Sequence, residues 1–441
     1  MSTSLEPLHV IRQLPRLLPR HWVRRRGSLG PPQVLISLMV MSVLGCKGYE
    51  RTIHEMKERL GDVLGWKRAR DVPSPQALCQ ARRKLDGALC RDVMSTVYRL
   101  CTSARKYASV SYLGMRLLAL DGTKLSLPAY KALRDHFGCP TQGEGKEQKG
   151  PQASLAMMWD VGANQPVEWR LGPYRMSERV QGLDLVASTG PGDLIITDRG
   201  FPSRKMLRAI RERGSDFLMR VRSESHGTLR EVASFLASGR DDSVVDLMDT
   251  NHHGTPSPGV CAIPVRLIRL ALPDGSTAVF ITSLRDSTRH PAAQLLALYT
   301  SRWRIETAFR ELKLWHGLEQ FHARHVDGIA QEVCALMIFQ LLTSELEAQV
   351  RIQHQKEIRD TPQESPASQI RFNRRIVADC VVSILFAATK DDDEIQAAFD
   401  YSLYRIWRYR QLTKPGRSFV RERKTPRRGW KGRGTKGEGR P

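Results

Sequence analysis

The chain has no C-x-x-C pair and no internal repeat, and its acidic residues are few. Eight cysteines, at positions 46, 79, 90, 101, 139, 261, 334 and 380, are scattered along 441 residues. That scatter argues against a disulfide framework or a cysteine zinc site, and for reduced thiols in a cytosolic protein. The 46 Asp and Glu face 69 Lys and Arg, a net charge of +23. Such an excess is a long-range field that favours a polyanion: DNA, RNA or an anionic membrane. A phosphate loop is also missing. The stretch GCPTQGEGKEQKGP (138–151) has the wrong glycine spacing, and Lys146 is followed by Glu147; it reads as a mobile loop.

What is present is enough chain for two to four domains, at an ordinary 41% hydrophobic content. Near the front, VLISLMVMSVLGC (34–46) follows Arg24–Arg26 and ends like a lipoprotein cleavage box. The run is too short to span a bilayer and its leader is longer than usual for a signal peptide. A buried helix is the better reading.

Residues 1–105 read as a helical N-terminal domain. Ser74-Pro75 looks like an N-cap with a first-turn proline, opening the helix QALCQARRKL. Arg82 and Arg83 in its later turns mark a candidate DNA-binding head. Over 111–221 apolar runs alternate with helical stretches, as in an α/β sheet domain. Strands are expected at 116–127, 153–159, 166–171, 194–197 and 217–221, with helices at 177–188 and 204–213. A β-rich stretch follows over 222–288, where Pro273-Asp274-Gly275 separates two runs as a hairpin signal. Helices return at 289–350. Residues 356–369 read as an exposed linker, and 370–409 as apolar helices that could dimerise. The tail 410–441 carries twelve Lys or Arg against two Glu. It cannot build a core and should order only on phosphates.

The segment LYTSRWRIETAFRELKL (298–314) contains no Gly or Pro. As one continuous helix it would place Tyr299, Arg302, Arg310 and Lys313 within about 40° of Glu306. One carboxylate inside a cationic stripe suits a residue that binds metal while its neighbours hold phosphates. Asp121 follows the apolar run LLAL, and Asp198 follows LIIT. Carboxylates at the ends of neighbouring strands can converge, and with Glu306 they could hold two divalent ions on a phosphodiester. Mg²⁺ suits such an all-oxygen site. Taken singly, each carboxylate also fits a plain turn or a surface ion pair. His316, His322 and His325 lack partners at zinc spacing and read as loop residues or phosphate contacts.

Tyr299, Arg302, Glu306 and Lys313 stand at the spacing Y-(2)-R-(3)-E-(6)-K. With LDGT (120–123), TDRGF (197–201) and YTSRWRIE (299–306), the chain resembles the insertion-sequence-four family of DDE transposases over roughly 30–430. The resemblance implies a ribonuclease-H-like core interrupted by a β-rich insertion. Asp121, Asp198 and Glu306 would be its catalytic, metal-binding triad, with two Mg²⁺ ions for which Mn²⁺ can substitute. It further implies that Tyr299, Arg302 and Lys313 touch DNA phosphates, an assignment that Arg310 would share by its place on the helix. The expected activity is cutting at terminal inverted repeats, passing through a hairpin, and joining to target DNA. A homodimer in the bacterial cytoplasm, associated with the nucleoid and with no membrane partner, is implied with it. Some relatives carry a Trp that holds a flipped base; here that position is Ala278, with Phe280 as a substitute. The competing readings are a transposase-derived DNA-binding protein without catalysis and a structural RNA-binding protein.

Overall fold

In the computed structural model the described residues are 29–43, 45, 48–60, 66, 68–106, 108, 111–140, 150–223, 229–248, 262–271, 277–314, 316–360, 370–387 and 392–412. A nine-stranded mixed sheet organises them. Its strands are β1 (Ser111–Tyr112), β2 (Met115–Ser126), β3 (Gln152–Asp160), β4 (Gln165–Pro173), β5 (Asp193–Thr197), β6 (Asp216–Val221), β7 (Asp242–Leu247), β8 (Ile263–Ala271) and β9 (Thr277–Thr282). The order is β4-β3-β2-β5-β6-β9-β8-β7, with β1 paired to β2. β2, β5 and β6 run parallel to one another, while β2-β3-β4 form an antiparallel meander. The β-rich stretch yields the expected antiparallel strand pair, β8 and β9, and β9 hydrogen-bonds to β6 so that β7–β9 extend the same sheet. The turn itself, 272–276, lies outside the described residues.

Alternation along the strands divides the interior in two. Leu117 and Ala119 of β2 point to one side of the sheet, with Leu194, Ile196, Leu218 and Phe280. Leu118 and Leu120 point to the other, with Ile195, Phe217, Met219 and Ile281. Both faces are covered, and that is why β2 and β5 read as unbroken apolar runs. The first face carries α1 (Pro31–Val43), α2 (Tyr49–Leu60), α3 (Pro75–Arg83) and α4 (Gly87–Leu100). The second carries α5 (Glu178–Val186), α6 (Arg204–Glu212) and α7 (Arg230–Ala237). Later in the chain come α8 (Ala292–Tyr299), α9 (Trp303–Leu314), α10 (Val326–Gln353), α11 (Arg374–Ala387) and α12 (Asp392–Arg408), and all five join the first face.

The apolar run at 34–46 is α1, with Val34, Leu35 and Leu38–Met41 buried. Ser74 caps α3 through a 3.2 Å bond from the Ala77 amide, as its sequence proposes. Helix α10 is the central post. It is long and apolar enough to cross a membrane by composition, but 83% of that apolar window is buried inside the protein. A helix apolar all round is a core helix when other helices surround it. The apolar faces of α11 and α12 are likewise spent within this chain, on Val377, Val381, Leu385, Phe399 and Ile406. The large apolar side chains that α12 leaves exposed are Tyr401 and Tyr404.

Three expectations are corrected. The stretch 298–314 is not one α-helix, because a 3₁₀ turn at Thr300–Arg302 separates α8 from α9. The supposed linker begins as a helix, Gln355–Asp360; 361–369 lie outside the described residues, as do most of the loop 138–151 and the tail beyond 412. The tail's first residues are strand, since Gln411–Leu412 pair with Ile370–Arg371.

Candidate active site

The sheet itself brings the first two carboxylates together. Leu120 of β2 lies in register with Thr197 of β5, so Asp198, which follows β5, and Asp121, which continues along β2, stand side by side where the ladder between the two strands stops. Beyond that point β2 continues only with β3, which opens a notch at the end of β5. Asp121 Oδ1 accepts the Gly122 amide at 2.8 Å, and Asp198 Oδ1 accepts the Gly200 amide at 2.8 Å. These local bonds, the first within β2 and the second in the turn after β5, fix both carboxylates. Burial pushes the Asp121 carboxyl up to about 6. The Asp198 and Glu178 charges add to that, while the Gly122 amide and Arg302 oppose it.

Helix α9 delivers Glu306 to the same place. Arg302 links them: its Nη1 lies 2.7 Å from Glu306 Oε1 and 3.8 Å from Asp121 Oδ2. The guanidinium is nearly sealed from water, 10% exposed, and its Nε finds no acceptor. The 3₁₀ turn, with three residues per turn, aligns positions 299 and 302. Arg302 accordingly sits 5.9 Å from the Tyr299 ring centre, and 4.9 Å from that of Trp303. Burial raises the Tyr299 phenol to about 12. Its ring meets Phe280 edge-on at 4.8 Å. Phe280 is only 5% exposed and Ala278 1%, so neither presents a face to a flipped base. Trp303, 59% exposed, is the aromatic surface at this site.

Of the remaining expected residues, Lys313 reaches back to β2, donating to the Lys124 carbonyl at 2.8 Å and lying 3.5 Å from Glu319. Arg310 and Arg83 are exposed. Arg82 is not at the surface at all. At 1% exposure it donates to the Gly328 carbonyl (3.1 Å), Glu332 (2.8 Å), Gln331 and the Tyr49 hydroxyl. Its fork is filled by protein acceptors, so the expected phosphate contact gives way to a strut between α3 and α10. The three histidines also go separate ways. His316 is buried against Phe339, His322 lies by Glu332, and His325 caps α10.

Sequence reasoning missed a second layer. Glu178, at the start of α5, lies where a side chain on Gly122 would be: a Cβ there would come within 2.6 Å of its Cδ. Lys124 stands 3.9 Å from Glu178 and is bound by Ser154. Arg179 donates from Nε and Nη2 to the Gly200 carbonyl, bracing the Asp198 turn. The glycine after Asp121 was the one signal, since a glycine inside a strand often marks a close approach.

Among the described residues no three His, Cys, Asp or Glu side chains are gathered tightly enough to hold one ion as they stand. In kind, the residues fit a hard divalent cation. Asp121, Asp198 and Glu306 offer only oxygen donors, and a buried aspartate beside a second carboxylate gains from a cation. To join such a set, Glu306 would have to leave Arg302, its present partner.

A family model described as the transposase DDE domain matches residues 112–342, just over half of the chain. The chain is 25% identical over 281 residues to the transposase InsG for insertion sequence element IS4 of Escherichia coli (strain K12). That match covers 63% of this chain and 61% of the relative. It is also 25% identical over 152 residues, 34% of this chain and 30% of the relative, to the transposase for insertion sequence element IS231C of Bacillus thuringiensis subsp. berliner. Among solved structures, the piggyBac transposase synaptic complex with hairpin DNA aligns with 94% of this chain and 88% of its own at 12% identity and a TM-score of 0.46.

Proposed function

Since the chain belongs to the DDE transposase family, we propose that it is the transposase of an insertion sequence, cutting duplex DNA at terminal inverted repeats and joining the freed ends to target DNA. The observation that carries this reading is the convergence at one notch. Asp198 follows the end of β5, Asp121 stands beside it on β2 where the pairing with β5 stops, and Arg302 ties Glu306 to Asp121. On this reading β2–β6 are the ribonuclease-H-like core, β7–β9 the insertion, and residues up to about 105 with the basic tail add DNA affinity. The synaptic form is a homodimer.

Asp121, Asp198 and Glu306 would hold two Mg²⁺ ions, which supply activation of the attacking oxygen and neutralise charge building on the phosphorus centre. The chain's own residues do the rest. Tyr299, Arg302, Arg310 and Lys313 would bind phosphates on the approach to the three carboxylates and set the register of the cut end. The Gly122 and Gly200 amides hold the aspartates in place, and Arg179 steadies the turn after β5. A hairpin intermediate requires a base to leave the stack, and the exposed indole of Trp303 is the surface that could receive it.

The test is cleavage of a linear duplex carrying the element's own terminal repeat, with Mg²⁺, comparing wild type with Asp198→Ala and Glu306→Ala. All three should shift the DNA in a gel and only wild type should cut, with the products showing whether a hairpin forms. Binding without cutting by all three would make the chain a catalytically inactive DNA-binding relative. Cutting by the variants would refute the triad.

A further inference from the structure

Arg302 is placed oddly for a residue whose work is to hold a DNA phosphate. Its charged end is turned inward, onto one carboxylate at 2.7 Å and towards a second at 3.8 Å. It is the buried member of the basic set on this segment, since Arg310 is exposed and Lys313 is partly exposed and bound to Lys124 and Glu319. Its Nε donor remains unmet although the side chain is enclosed, held between the Tyr299 and Trp303 rings. A buried guanidinium with an unsatisfied donor is costly to keep, and a phosphate oxygen arriving at the notch is an acceptor that would satisfy it.

We propose that Arg302 is the built-in counter-cation of Glu306, and that DNA binding releases this carboxylate by drawing Arg302 onto a phosphate. The inference rests on the three-carboxylate reading above. Glu306 then has two cations competing for it, the guanidinium and a divalent ion. A ligand that removes the first strengthens the second, and by linkage the effect is reciprocal. The device keeps the third carboxylate engaged until a phosphate is in place, so cutting chemistry is assembled on DNA and not before it.

The experiment is titration of the full-length chain with Mn²⁺, followed by calorimetry, with and without a duplex carrying the terminal repeat. Without DNA, Arg302→Gln should bind Mn²⁺ about tenfold more tightly than wild type, the middle of the usual range for coupled sites. Arg302→Lys, which keeps the charge, should stay near wild type. Arg175→Gln removes the same charge from an exposed position and should change little, which separates this effect from a general change in field. Adding Glu306→Gln to Arg302→Gln should abolish the gain. The duplex should tighten Mn²⁺ binding by wild type far more than by Arg302→Gln. Equal affinities of wild type and Arg302→Gln without DNA would overturn the inference, while Mn²⁺ binding lost in Asp198→Ala would show the carboxylate reading still standing. If Asp198→Ala and Glu306→Gln bind Mn²⁺ as wild type does even on DNA, both fall.

Discussion

Arg82 and Glu332 form a 2.8 Å ion pair from which water is almost wholly excluded, and it joins the N-terminal helices to the long central helix α10. The pair is well supplied: the His322 amide donates to the second Glu332 oxygen, and Gln331 and Tyr49 accept from Arg82. Removing one partner leaves a buried charge unmet. Arg82→Ala should therefore lower stability by about 3–5 kcal/mol, and the double replacement by Met and Leu should recover much of that. Urea unfolding of the three proteins checks this. Duplex affinity of the folded fraction should be unchanged in the double variant, because Arg82 faces protein and not solvent.

His316 gives the protein a pH dependence in the weakly acidic range. Burial, helped by Arg374, lowers its pKa to about 4 from the ordinary 6.5. The folded state thus prefers the neutral ring, and the unfolded chain binds the proton more readily. Stability from this group is whole above pH 6.5 and is lost as the pH falls from 6.5 towards 4, by on the order of 3 kcal/mol. His316→Phe should flatten that part of the stability curve, measured by melting temperature between pH 4.5 and 7. A slope identical to wild type would reject the assignment.

Gly122 has room for hydrogen alone while Glu178 keeps its position. In Gly122→Ala the glutamate must move, and Asp121 stands on the adjoining residue. Displacing a reacting group by about 1 Å can cost on the order of a hundredfold in rate. Cleavage by Gly122→Ala should drop by that order with the fold intact by circular dichroism. Gly122→Ala combined with Glu178→Ala should regain part of it. No recovery would place the damage in the backbone of β2.

Lys313 and Arg310 are expected to act as phosphate contacts without base specificity. Each change to Ala should weaken binding to specific and random duplexes alike and reduce the slope of log affinity against log salt by about 1. Fluorescence anisotropy at several salt concentrations reads both. A loss confined to the terminal repeat would instead mean base contact.

The sequence by itself showed β2–β6, β8, β9 and the family, and it singled out the three carboxylates proposed as the triad; it did not show β1 or β7. Unbroken apolar runs ahead of Asp121 and Asp198 are legible because a strand buried on both faces has no polar alternation to hide it. The Y-R-E-K spacing is legible because the residues are local. It determined less about α9, where a smooth helical wheel overlooked the 3₁₀ turn at Thr300–Arg302: an apolar and charged pattern over three residues does not separate a 3₁₀ turn from an α-turn. Only the tertiary structure decided what each basic residue faces. Arg82, Arg302 and Arg310 are chemically the same in the sequence, yet one is a buried strut, one is paired with Glu306 and one meets solvent. Glu178 was equally invisible, because its neighbour Gly122 lies 56 positions away along the chain. Charge and periodicity are properties of a segment, whereas a partner across the fold is a property of the closed chain, and it is the partner that fixes what a charged side chain does.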